Sequence, residues 1–212
     1  SNSIPYIEQI TADKMKLVIP ATTLEISRIH LSPFEESTHK NGTPIAPLSY
    51  NDPFFKMKDI EIITPPLVVD SYDISAGKIS FKVPISAKNT PAGIFGTKIT
   101  TLQEYIISTL HLHQSSVLGR TDLKRELIES CFQKICDGEK LNLFIAQNDT
   151  RTPVFHNSEE KPQFGLAKNL GSDIVGKRVR ILLKISGVRV LSGNPYRFRL
   201  HHTLMNVYVV NE

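Results

Sequence analysis

The chain has no tryptophan, two cysteines and an aromatic content of 8% over 212 residues. Two cysteines exclude a disulfide scaffold. Cys131 and Cys136 lie five apart, which is not a CxxC redox spacing, and they are expected as free thiols. No run approaches the ~20 apolar residues of a membrane-spanning helix. No secretory leader is evident at the start of the sequence. The expectation is a soluble intracellular protein without a membrane partner. A further absence is local: Gly176–Val210 contains no Asp or Glu.

Catalytic signatures are missing as well. There is no Gly-x-Ser-x-Gly elbow. Gly93-x-x-Gly96 lacks the Lys-Ser/Thr ending of a phosphate loop. His111 and His113 stand two apart in a helical pattern and diverge, while adjacent His201 and His202 on a strand point to opposite faces. Neither pair closes a metal site alone. The acidic pairs Glu35-Glu36 and Glu159-Glu160 sit in polar, loop-like sequence. The expectation is a protein that is not an enzyme, with no cofactor and no metal.

What is present is concentrated charge. Residues 174–212 hold seven of the 25 Lys and Arg but one of the 21 Asp and Glu, so this stretch carries +6 and the rest −2. Successive strand side chains alternate between faces. Val179, Ile181, Leu183 and Ile185 fall on one face, Arg178, Arg180 and Lys184 on the other. Beyond a turn at Ser192-Gly193-Asn194-Pro195, Tyr196, Phe198 and Leu200 alternate with Arg197, Arg199 and His201. The pattern predicts an antiparallel hairpin over 176–212 with one apolar and one cationic face. Solvated faces ordinarily mix signs, so an acid-free one points to an anionic partner.

Upstream, Lys14–Leu31 reads as one or two strands bent at Pro20, and 32–53 as a proline-rich loop with an Asn41-Gly42 turn. Phe54–Thr64 and Lys78–Pro84 alternate as strands, with 67–70 short and extended between them. Gly93 and Gly96 mark a flexible loop. The period then lengthens. Leu102, Ile106 and Leu110 predict a helix near 100–113. Leu123, Leu127 and Ile135 predict a second over 122–136, capped by Thr121 and stopped by Gly138. Lys140–Ala146 returns to strand, and 150–172 reads as loop. No repeating βαβ unit is present. The predicted class is α+β: a β-rich antiparallel sheet or barrel core with two inserted helices, in a single nucleic-acid-binding domain over 1–212.

Sequence-independent binding of a single strand needs a cationic track and aromatic platforms. The candidate contacts are Lys177, Arg178, Arg180, Lys184, Arg189, Arg197 and Arg199 of the hairpin, with Lys56 and Lys58 of an earlier strand. Tyr50, Tyr72 and Tyr196, each beside turn residues, are the candidate stacking rings.

Two short elements carry a resemblance. Ile62-Ile63-Thr64-Pro65-Pro66-Leu67 ends a strand, and the chain closes on Ile181–Val188, the turn at Gly193 and a last alternating strand to Val209. Over residues 54–210 this order resembles the single-stranded-DNA-binding proteins of large nucleocytoplasmic DNA viruses. That family carries tryptophan near the closing Ser-Gly and in its last strand, where this chain has Val188-Arg189 and His201-His202. The resemblance implies a core related to oligonucleotide-binding (OB) barrels and non-catalytic binding of single-stranded DNA in viral replication or recombination. RNA is a second candidate strand and a homo-oligomer a candidate assembly, neither fixed by the sequence, and the expected residence is host cytoplasm or nucleus. A viral capsid or scaffold protein built on a β-sandwich is the alternative.

Overall fold

The computed structural model describes residues 17–35, 43–146, 149–156, 161–191 and 197–210. Among the described residues fourteen strands occur in chain order: β1 (Ile19–Pro20), β2 (Ile29–Leu31), β3 (Ile45–Asn51), β4 (Lys56–Lys58), β5 (Ile60–Ile63), β6 (Leu67–Asp73), β7 (Lys78–Lys82), β8 (Phe132–Gln133), β9 (Cys136–Asp137), β10 (Lys140–Phe144), β11 (Pro153–His156), β12 (Gln163–Phe164), β13 (Arg178–Leu191) and β14 (Arg197–Val209). The helices are α1 (Pro91–Leu112), α2 (Gln114–Val117), α3 (Arg125–Cys131) and α4 (Leu166–Asn169).

The predicted hairpin forms. β13 and β14 pair antiparallel from Val179↔Val209 to Leu191↔Arg197, with irregularities at Leu182/Leu183 and Ile185/Gly187. Val179, Ile181, Leu183 and Ile185 are fully buried, and Arg178 and Arg180 are exposed. The turn that joins the strands lies outside the described residues. The other edge of β13 is shared by β6, β5 and β3 in succession.

β5 and β6 act as one strand bent at Thr64-Pro65-Pro66. Prolines supply no N–H to a ladder, so Thr64 does the pairing here. Its N–H donates to Ile181 O at 3.0 Å, and its hydroxyl accepts the Ile181 N–H at 3.0 Å. The Ile-Thr-Pro-Pro element noted in the sequence is therefore the bend that carries the chain along β13.

β6, β7 and β10 form an antiparallel meander. It curls until β10 reaches β14, with which it runs in the same direction. The closing contact is a side chain rather than a ladder. Phe144 N–H donates to His202 Nε2 at 3.0 Å, while His202 Nδ1 lies 2.9 Å from Leu200 O. Taken in chain order, the ring runs first, second, third, fifth, fourth. It is a partly open five-stranded barrel of the OB kind, within one connected sheet.

The helices cover the barrel. Thr90 caps α1 by accepting the Gly93 N–H. Phe95, Ile99, Leu102, Ile106 and Leu110, three and four apart, are fully buried. Gln103 bridges to the β9 strand: Oε1 accepts the Ile135 and Cys136 N–H groups and Nε2 donates to Cys136 O.

Several expectations change. α1 begins at Pro91, so Gly93 and Gly96 are helical; a Cβ on Gly96 would lie 3.0 Å from Val83 Cβ. They serve close packing rather than flexibility. The second helix is shorter than expected, because Phe132 and Gln133 leave it to pair with β14. Ile128 anchors it, and Leu127 is 48% exposed. The region read as a loop over 32–53 contains β3, whose Pro47 lies opposite Gly187. A Cβ on Gly187 would sit 2.2 Å from Ala46 O, so glycine is what lets β3 approach β13. The single strand expected over 54–64 is two, divided at Asp59, whose φ of 61° is the left-handed conformation. The 150–172 loop contains β11, β12 and α4.

Candidate nucleic-acid interface

The register sorts the cations. On the outer face of the barrel, β10 presents Lys140, Asn142 and Phe144 directly opposite Lys82, Ser80 and Lys78 of β7. Across the closure, β14 presents Arg199 and His201, and β13 presents Arg189 opposite Arg199. The Phe144 ring lies between the elements: the Arg199 guanidinium carbon is 4.3 Å and Lys78 Nζ 5.8 Å from its centroid. A ring with two cations over it is both a cation–π partner and an apolar plate among cations; of these Lys140 is paired with Asp70 at 3.1 Å and Lys78 lies opposite Asp73, whereas Arg199 has no acid partner among the described residues.

Burial and mutual repulsion tune this patch. Burial, then the neighbouring Arg189, disfavours the charged form of Arg199. Burial, followed by Arg189, His202, Arg199 and Lys184, pushes His201 down to about 4. Lys184 lies opposite Glu61 of β5, so the face is not wholly free of acid.

A second patch sits at the other end of the hairpin. Arg180 is opposite Tyr208, which stacks on Phe155 of β11 with centroids 4.9 Å apart and planes 13° from parallel. Arg180 Nε donates to Thr64 O at 3.1 Å, and Arg178 is exposed beside Val68. Arg180 and Arg189 are nine steps apart along β13, roughly 30 Å at the usual rise. Arg197 is exposed at the β14 start. Arg178, Arg180, Arg189, Arg197, Arg199 and Lys78 form no ion pair with another described residue.

Other candidates stand apart. Lys177 precedes β13 and pairs with Asp173 at 3.2 Å. Lys56 and Lys58 are exposed on β4, opposite Asn51 and Ser49 of β3; the ladder puts them on the same side of the sheet as Arg189, two strands away. Phe54, 86% exposed, tips that hairpin. Tyr50 is 3% exposed, its ring stacked on Phe55 and its hydroxyl accepting the Glu25 N–H, so it is a core residue and not a free platform. Tyr72 shares the inward side with Ile79, and burial followed by Asp149 raises its pKa; it too is removed from the cationic face. Both tyrosines were expected at turns, but each lies within a strand, on its buried side. Tyr196 lies outside the described residues.

Sequence reasoning missed Phe144 and Phe155. A signal for Phe144 existed: it shares strand parity with Lys140 and Asn142, so an aromatic stands where a solvated face would carry a polar side chain. Phe155 had none, because its strand was read as loop. Among the described residues no group of three His, Cys, Asp or Glu could hold a metal ion, and no helix is long and apolar enough to cross a membrane.

No protein-family model and no curated protein matches the chain. Among solved structures it is similar to the single-stranded DNA-binding protein from bacteriophage Enc34, with a TM-score of 0.41 and 11% identity over 86% of this chain and 90% of that one. The same phage protein in complex with ssDNA gives a TM-score of 0.37 and 13% identity, covering 86% of this chain and 96% of that one. At these scores the reading of the interface rests on the geometry of this chain.

Proposed function

We propose that the chain is a non-catalytic, sequence-independent binder of single-stranded DNA. The observation that carries this is the outer barrel face, where Lys78 and Arg199 lie over the Phe144 ring and Arg189 stands opposite Arg199, none of the three with an ion-pair partner among the described residues. Cations of this kind neutralise phosphates and release counterions, and a ring among them stacks a base of any identity. A duplex keeps its bases stacked inside, out of reach of such a ring. The viral resemblance of residues 54–210 supports a place in viral genome replication or recombination, with RNA as the competing strand.

Anisotropy titrations with labelled oligo-dT and oligo-dA, with duplex DNA and oligo-U as competitors, test the reading. Both DNA oligomers should bind within a few-fold of one another, and duplex should compete poorly. Duplex competing as well as oligo-dT, or one base strongly preferred, would count against it.

A further inference from the structure

We propose that Arg189 and Arg199 are the two arms of a preformed seat for one tetrahedral oxyanion, which on the reading above is a single phosphate of the bound strand. The two arginines are direct partners in the β13–β14 ladder. Like charges so placed repel, and no acid among the described residues pairs with either. Independently, Arg189 Nε is buried and has no hydrogen-bond partner among the described residues. An orphaned buried donor is uncommon and calls for an explanation, which an oxyanion drawn in between the two guanidinium groups would supply.

The walls fit an anion. Lys184 of β13 and His201 of β14 lie on the same face, and Gln133 of β8 stands beside Arg199 in register. β3 contributes Ile45 and Pro47, which do not titrate. β10 contributes the Phe144 ring that backs Arg199. β7 adds Lys78 beyond it. Acids join this face at its margins: Glu61 of β5 opposite Lys184, Glu35 bridged to Ile45 on the far side of β3, and Asp73 of β6 opposite Lys78. Guanidinium forks bind oxyanions through paired N–H groups, which a lysine of equal charge cannot reproduce.

Thermal unfolding at pH 7 in sodium phosphate, sodium chloride and sodium acetate of matched ionic strength tests the seat. The wild type should gain Tm in phosphate beyond both controls, as expected for a ligand held by the folded state. The Arg189→Lys and Arg199→Lys variants should lose that surplus. General stabilisation by phosphate is common to all three proteins, so the difference between them is the readout. In the wild type alone, the His201 imidazole followed by NMR should titrate above about 4 once phosphate is present, because a nearby anion favours the imidazolium. An equal surplus in the variants, an equal effect of acetate, or an unmoved His201 overturns the seat.

Oligo-dT separates this inference from the reading it rests on. Each Lys variant should bind oligo-dT about tenfold more weakly, the size of one charge-assisted hydrogen bond. Unchanged oligo-dT affinity in the variants overturns the inference and leaves single-strand binding standing. A phosphate surplus in a wild type that binds no oligo-dT overturns single-strand binding and leaves an anion site.

Discussion

Phe144 is the residue whose role depends most on its surroundings. Its backbone closes the barrel through His202, and its ring faces Arg199 and Lys78. A ring that stacks a base contributes ~1–3 kcal/mol without neutralising any phosphate. Phe144→Ala should therefore weaken oligo-dT binding by that amount and leave the salt dependence unchanged, and Phe144→Tyr should retain affinity. Anisotropy at two salt concentrations checks both. Leu127 makes the opposite case. Helical spacing placed it in the core, yet it is 48% exposed, while Ile128 beside it is buried. Leu127→Ala should leave urea stability within about 0.5 kcal/mol of wild type, whereas Ile128→Ala should cost ~2–5 kcal/mol.

At the scale of elements, the parts legible in the sequence were those with sustained period. The β13–β14 hairpin, β7, β10 and the core stripe of α1 all follow from alternation or helical spacing carried over five residues or more. The strands that escaped notice are short or carry a proline: β3 runs through Pro47, β11 is four residues that start at Pro153, and β8, β9 and β12 have two residues each. Their pairing is decided by tertiary neighbours, which no local pattern encodes. Buried tyrosines escaped for the same reason, since Tyr50 and Tyr72 near turns looked exposed until the ladders fixed their sides. The cationic hairpin was legible as a charge cluster, but its division into two patches required the register.

Two elements depend on single residues. Gly187→Ala would drive a Cβ into Ala46 O, so β3 should detach or shift, with a loss of ~1–3 kcal/mol in urea unfolding. The barrel closure depends on a neutral imidazole. Burial, the largest influence, holds His202 below its ordinary pKa, and burial likewise holds His201 down to about 4. Both titrate near ~6.5 in an unfolded chain. Below that value the unfolded state binds more protons than the folded one. Stability is therefore full above ~6.5 and declines as pH falls toward about 4. Urea midpoints should drop between pH 7.5 and pH 5, and His202→Gln, whose amide oxygen can still accept the Phe144 N–H, should flatten part of that decline. Equal midpoints at the two pH values would contradict a neutral closure.

At the scale of the whole molecule, the barrel places Lys78 of β7 and Arg199 of β14 over one aromatic plate, with Arg189 of β13 beside Arg199, although these residues are far apart in sequence. The charge bias of residues 174–212 is thus half of the arrangement, and the β7–β10 pair supplies the other half. The claim that this face binds a single strand is tested most directly by its salt dependence. Oligo-dT affinity is measured from low to moderate salt for the wild type and for a Lys78→Ala/Arg199→Ala double variant, with folding confirmed by circular dichroism. Log affinity should fall linearly with log salt, and losing two phosphate contacts should make the slope shallower by about 1.4, at ~0.7 per contact. A folded wild type that fails to bind at low salt, or a double variant with unchanged affinity and slope, would contradict the assignment of this face.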